Sequence, residues 1–432
     1  MGADPTTEPP HPRDAVDPPT KAYSCPAAWC TPSTVEGVII ERERELQAAP
    51  RTIPGLAVVS SGLVLAALPF FLVGGLAVQI RADLGFDEAA LGAAVTIGFA
   101  AGAIAAPFGG RLADRLGPRT SLASGAALSV LSSIGIGLFA DTWGLLVLFL
   151  IVTGVAMAVT DPALAILVGR SIRPGRQGLA FGVKEASIPA AALAAGLAVP
   201  LIALTVGWRW AFAIGVLPLL VVVLLLPRVI RDAENPDVAR ESRPDEISHL
   251  PRRRTILLAG SAAALGTAAA SGVGVFLTES AVAMGVDPGN AGLLLAMGSS
   301  AGIVARISAG IAADRTGGPQ FKLIAIMLAV GAVTIALGGT GSTPLLILGT
   351  VGAFTGGWAW TGIFFLSLIK TSPATPGAVA GIGTFSLGVG NASGPILFGL
   401  IAQNVSFGAA WLAAGLAAGV AAALMDAARR QF

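Results

Sequence analysis

Five ionisable side chains lie inside stretches otherwise built from apolar residues: Asp161, Lys184, Glu185, Glu279 and Arg306. Placing an ionised group in hydrocarbon costs at least about 2.5–3.5 kcal/mol, so such residues persist where they hold a charged partner or carry a proton. Lys184 with Arg306 could attract an anion, and Asp161 or Glu279 could take up and release a proton. Pro162 follows Asp161 and leaves a carbonyl of the preceding turn without its helical donor. Glu185 is adjacent to Lys184 and on a helix points about 100° away from it. Trp358 and Trp360, with Phe364 and Thr361, form an aromatic patch able to stack on a ring-bearing or apolar molecule. A purely structural alternative has Lys184 snorkelling to the surface and the aromatic rings filling space.

A second charged set lies between apolar stretches. Residues 110–119 read Gly110-Arg111-Leu112-Ala113-Asp114-Arg115-Leu116-Gly117-Pro118-Arg119, and residues 310–317 read Gly310-Ile311-Ala312-Ala313-Asp314-Arg315-Thr316-Gly317. Gly, Asp, Arg and Gly recur at a shift of 200. Gly178 and Gly182 recur as Gly377 and Gly381 at a shift of 199. Two matches at nearly one offset indicate a duplicated unit. A carboxylate flanked by guanidinium groups on a short connection can form an ion-pair cluster that breaks and reforms as helices slide. It also meets the positive end of a helix dipole favourably, by about 0.3–1 kcal/mol.

Composition identifies what positions these groups. Hydrophobic residues make up 54% of the 432 and charged residues 12%, too little charge to keep a soluble surface dispersed. Long unbroken apolar runs point to membrane helices, not to a β-barrel. Twelve runs stand near 55–80, 88–109, 119–139, 143–169, 178–205 and 208–227, then 255–283, 290–312, 321–340, 343–369, 376–403 and 406–428. All but four of the 27 Lys and Arg flank these runs on one side. Arg81 and Arg209 lie on the other, and Lys184 and Arg306 lie within runs. The positive-inside rule then places both termini in the cytoplasm of a multi-pass protein of the plasma (inner) membrane. The expected organisation is a disordered tail over 1–52, a six-helix bundle over 53–228, a linker loop over 229–254 and a second bundle over 255–432. The tail has no apolar core behind a basic start, which argues against a cleaved signal.

Several chemistries are excluded. His11 and His249 fall outside the runs, so a Ser–His dyad at Gly298-Ser299-Ser300-Ala301-Gly302 or an intramembrane zinc site lacks its base or ligand. Cys25 and Cys30 are spaced too widely for the usual metal or redox pair. There is no phosphate-binding loop for ATP hydrolysis. A net charge of +2 with no broad basic face argues against nucleic acid. Neither an enzyme nor a cofactor is expected.

The segment from Gly110 to Arg119 resembles the loop signature of the major facilitator superfamily, G-x-L-[AG]-D-[RK]-x-G-[RK]-[RK], departing only at Pro118. With twelve runs and a degenerate second copy, the resemblance extends over about 55–432. It implies an all-α fold of twelve transmembrane helices in two pseudo-symmetric six-helix bundles, with spans 1, 4, 7 and 10 around a cavity. It also implies a monomeric secondary active transporter working by alternating access on a small, anionic organic solute with protons. Gating would fall to Gly110, Arg111, Asp114, Arg115, Gly117, Arg119, Asp314 and Arg315. Asp114 would meet the start of span 11 at Thr375-Pro376-Gly377, and Asp314 the start of span 5 near Gly178. Gly381-x8-Gly390-x3-Gly394-Pro395 resembles a glycine–proline motif of proton antiporters, displaced here from span 5 to span 11, and span 4 lacks the Arg of many drug exporters. A proton-driven multidrug efflux pump and a non-transporting receptor on the same fold are the rival readings.

Overall fold

The computed structural model describes residues 52–171, 176–233, 253–371 and 376–431. The tail with His11, Cys25 and Cys30, most of the linker with His249, and Thr375 lie outside the described residues. So do the side chains of Asp114 and Pro376. The described residues from 52 onward belong to one compact unit, Pro50–Phe432. They are mostly helical, joined by short turns, and contain no strand.

Twelve helices among the described residues are long and apolar enough to cross a membrane. Spans 1–6 are Gly55–Gly75, Glu88–Ala113, Arg115–Phe139, Trp143–Leu164, Gln177–Ala203 and Trp208–Pro227. Spans 7–12 are Arg254–Ala283, Pro288–Thr316, Phe321–Gly338, Thr343–Thr371, Gly381–Asn404 and Phe407–Arg429. Because the number is even, the start of span 1 and the end of span 12 share one side, here termed the near end; the opposite side is the far end.

The expected loop at 110–119 is corrected by the structure. Helix within Glu88–Phe139 reaches in from both sides and narrows the connection between the two helices to a kink at Gly117, the one residue there with non-helical backbone, at φ 78°. Glycine reaches this left-handed region without a Cβ penalty, and Pro118 restarts the chain with φ already preset. Asp114 therefore occupies the last turn of a helix. Its counterpart Asp314 does the same, one turn before the left-handed cap Gly317 at φ 74°.

Other irregularities fall where glycine and proline weaken the ladder. Span 5 ends in a π turn, Val199–Ala203, around Pro200. Span 10 is broken in two. Its first helix, Thr343–Gly352, continues as a π turn, Ala353–Gly357, and helix starts again only at Thr361. Backbone left unpaired at membrane depth requires partners from the protein or from a cavity.

Packing depends on small residues, because lipid offers no hydrophobic incentive for helices to associate and close backbone approach supplies dispersion instead. A Cβ on Gly178 would overlap the Gly310 carbonyl, and one on Gly196 would sit 2.6 Å from the Gly292 carbonyl, so spans 5 and 8 touch at both ends. Spans 2 and 11 meet where Gly399 faces the Glu88 carbonyl, and Gly390 and Gly394 face carbonyls of Ala264 and Ala268 on span 7. The displaced glycine–proline motif thus serves close packing of span 11 on span 7. Gly310→Val should lower the melting temperature in detergent by several degrees, since overpacking costs about 1–3 kcal/mol. Gly55→Ala, with open space around it, should leave the thermal unfolding curve in place.

Candidate functional site

At the centre, spans 4, 5 and 10 meet in a polar chain. Lys184 Nζ lies 2.7 Å from Asp161 Oδ1 and 3.2 Å from Glu185 Oε1. The other Glu185 oxygen, Oε2, accepts from the Thr361 hydroxyl at 3.1 Å. The sequence puts Asp161 about nine residues from the inner end of span 4 and Lys184 about six into span 5. Those offsets correspond to depths of roughly 13 and 9 Å, near enough for a long lysine stem. Glu185 joins the pair because its side chain bends back onto its neighbour. Gly362 makes the third contact achievable: a Cβ there would stand 3.2 Å from the Phe181 carbonyl and 3.4 Å from Glu185 Cγ.

Exposure differs sharply along this chain. The Lys184 side chain is 6% exposed and that of Asp161 36%. An ammonium buried to that degree needs neutralising partners, and two carboxylates supply them. Lys184 is not a free cation in this arrangement.

Arg306, 2% exposed, occupies the break in span 10. Its Nη2 donates to the Trp358 carbonyl at 3.0 Å and its guanidinium lies 5.5 Å from the centre of the Trp358 ring. A carbonyl freed by the broken helix thus acquires a charged donor, and the cation gains an aromatic face. Arg306 Nε is buried without a hydrogen-bond partner. The Trp358 ring also lies 5.9 Å from Phe71 of span 1 and 5.7 Å from Phe354. Trp360 is placed elsewhere. It is fully buried, donates to the Gly357 carbonyl at 2.7 Å and packs edge-on against Phe364, within the interior of the last six spans.

At the near end Asp314 bridges spans 8 and 5. Its Oδ1 accepts from the Gly178 N–H at 2.6 Å and its Oδ2 from the Leu179 N–H at 2.8 Å. The first amides of a helix lack intrahelical acceptors, and a carboxylate there also meets the positive end of the dipole. Gly178 leaves room for this approach, since a Cβ would sit 2.7 Å from Asp314 Oδ1. Arg111 lies 6.0 Å from the Phe108 ring. Arg111, Arg115, Arg119 and Arg315 are exposed, and Gly110 has open space around it.

The far end holds a cluster that the sequence reading did not assemble. Arg81 pairs with Glu88 at 3.0 Å and with Glu279 of span 7, and its Nε donates to the Phe86 carbonyl at 3.0 Å. Beside it, Gln403 of span 11 donates to Asp87 at 3.0 Å and accepts from the Ala89 N–H at 3.1 Å. Thr278 donates to the Gly74 carbonyl at 2.9 Å. Glu279 stands near the far end of a long helix and away from Lys184. Arg81, Asp87, Glu88 and Gln403 read as ordinary loop-flanking residues in one dimension. The available signal was that Arg81 is one of only two basic residues on its side.

The model of the Major Facilitator Superfamily matches residues 59–370. The chain belongs to this superfamily. A curated relative, an uncharacterised MFS-type transporter of Mycobacterium tuberculosis, is 30% identical over 122 residues, covering 27% of this chain and 21% of that protein. Two solved structures share the fold at 16% identity, each over 87% of this chain. One is the proton:xylose symporter XylE bound to 6-bromo-6-deoxy-D-glucose, with a TM-score of 0.65 over 95% of its chain. The other is a bacterial homologue of the human lysosomal transporter Spinster in an inward-facing, occupied conformation, with a TM-score of 0.64 over 96%. The protein is thus a multi-pass membrane protein of a transporter superfamily, with its all-α twelve-span fold.

Of the residues named from sequence, this superfamily member brings together Asp161, Lys184 and Glu185, and separately Arg306 with Trp358. Glu279 is near neither, and Trp360 is in the packed core. Asp314→Ala removes both acceptors from the start of span 5. It should destabilise the protein in detergent by about 0.5–2 kcal/mol, and Asp314→Asn, which keeps one acceptor, should fall between the variant and the parent.

Proposed function

We propose that this chain is a proton-coupled secondary active transporter that carries a small organic anion by alternating access between its first and last six spans. The observation that carries this reading is the chain Asp161–Lys184–Glu185–Thr361, which joins spans 4 and 5 to span 10 at membrane depth. Protonation of Asp161, the most exposed member, removes one of the two carboxylates holding Lys184. The ammonium is then available to a carboxylate or phosphate of the solute, so proton and anion bind together. Trp358 and Phe71 offer apolar faces for the rest of the molecule. Arg306 holds the broken backbone of span 10 and adds positive potential.

Alternating access requires contacts that tie the two halves at each end and can break. Asp314 on the start of span 5 supplies such a contact at the near end, assigned to the cytoplasm by the distribution of Lys and Arg. Asp114 has the corresponding role opposite span 11, and Arg111, Arg115, Arg119 and Arg315 surround these carboxylates with positive charge. The halves fall at 53–228 and 255–432, joined by the linker over 229–254, with the tail over 1–52 in the cytoplasm of the plasma membrane. The protein works as a monomer, since both halves that alternating access requires are supplied by one chain.

Export of apolar compounds is a second reading, favoured by the Phe71–Trp358–Phe354 cluster. A thermal-shift screen of organic anions and apolar cations separates the two. Anions should raise the melting temperature of the parent, more so at acid pH. Lys184→Ala should abolish that shift, and Asp161→Asn should keep it while removing its pH dependence. Stabilisation by apolar cations alone, unaffected by Lys184→Ala, would favour export. For an anion so found, proteoliposome uptake driven by an imposed pH gradient should be lost in Lys184→Ala.

A further inference from the structure

The far-end cluster has a composition suited to a switch. Arg81 is anchored in the first half of the chain by Glu88 and the Phe86 carbonyl, and Glu279 is its ionic partner from the second half. Glu279 is 5% exposed, and its Oε2 is buried with no hydrogen-bond partner. A carboxylate in that position has one oxygen committed to the guanidinium and one open to a proton. Once protonated it no longer attracts Arg81, which keeps its own-half acceptors and so tolerates the loss.

Other polar and charged groups lie on the elements that meet at this end. From the helix Ala77–Leu84 come Arg81 and Asp83, the latter held by Trp208 Nε1 at 3.2 Å and Arg209 at 3.3 Å. From the start of span 2 come Asp87 and Glu88, and from span 11 comes Gln403, bonded to Asp87. Span 12 contributes Trp411, which donates to Ser280 at 3.1 Å. Among these described groups Arg81 is the cation placed on Glu279. The other cross-half links at this end, Gln403 with Asp87 and Ala89 and Thr278 with Gly74, are ordinary hydrogen bonds, each worth about 0.5–1.5 kcal/mol or, to a charged group, about 1.5–3.

We propose that Glu279 is a proton-binding latch: ionised, it holds Arg81 and keeps the far face shut; protonated, it lets the far ends part. The proposal rests on the alternating-access reading, and its test needs no solute. Spin labels at Thr142→Cys and Asn290→Cys, both exposed at the far end on opposite halves, report the opening as a distance in a Cys25→Ser/Cys30→Ser background. The parent should show the short distance at neutral pH and a growing long-distance population on acidification. Glu279→Gln should show the long population, raised severalfold, at both pH values, and Asp426→Asn, whose carboxylate pairs with Arg429 and Arg430 of its own helix at the near end, should behave as the parent. A Glu279→Gln distribution matching the parent at neutral pH overturns the latch. Acid-driven widening of the same size in Glu279→Gln also overturns it, because the proton then binds elsewhere. A latch that responds in a protein that carries no solute in proteoliposomes would sink the transport reading alone.

Discussion

A polar group facing hydrocarbon has no water to fall back on, and this constraint organises the whole molecule. Each charge or freed carbonyl at depth must find its partner within the protein. Lys184 is held by two carboxylates, Glu185 is satisfied on its far side by Thr361, and Arg306 takes up the carbonyl of Trp358. Apart from Glu185, which shares span 5 with Lys184, each partner belongs to a different span from the group it satisfies, so satisfying the charges also fixes which helices neighbour one another. A charge pair that draws helices together can release them when one member is neutralised.

Such pairs require backbones close enough for short side chains to reach. Glycine provides this at Gly178 for Asp314 and at Gly362 for Glu185. The same residues that make the packing tight are the ones that let carboxylates reach amides or hydroxyls across an interface. Compact packing and polar reach are therefore one design here. Broken helix in span 10 follows similar logic, since the run Gly356-Gly357 gives up helical bonds at the depth where Arg306 can replace one of them.

Part of the candidate site was legible along the chain. Counting helical rise from the ends of spans 4 and 5 puts Asp161 and Lys184 at similar depth, and the recurrence of Gly, Asp and Arg at a shift of 200 directs attention to Asp314 and Gly178. Glu185 was harder, because its direction on an ideal helix points away from Lys184 and a flexible stem overrides that geometry. Arg81 with Glu279 was not legible. One lies at a helix end and the other near the end of a span 198 positions later, and no periodicity links them. The two tryptophans of span 10 illustrate the same limit: adjacent in composition, they separate because the break sends one ring to Arg306 and the other into the core.

Apolar run length, charge asymmetry and an internal echo are one-dimensional quantities. The number of crossings, the all-helical class and the family could therefore be read along the chain, since the bilayer selects for those features. Pairing across spans was decided by tertiary structure alone. Which carboxylate faces which cation depends on helix rotation, kinks at glycine and proline, and small differences in how closely backbones approach. Many rotations satisfy the same hydropathy pattern, and only the packed assembly selects one.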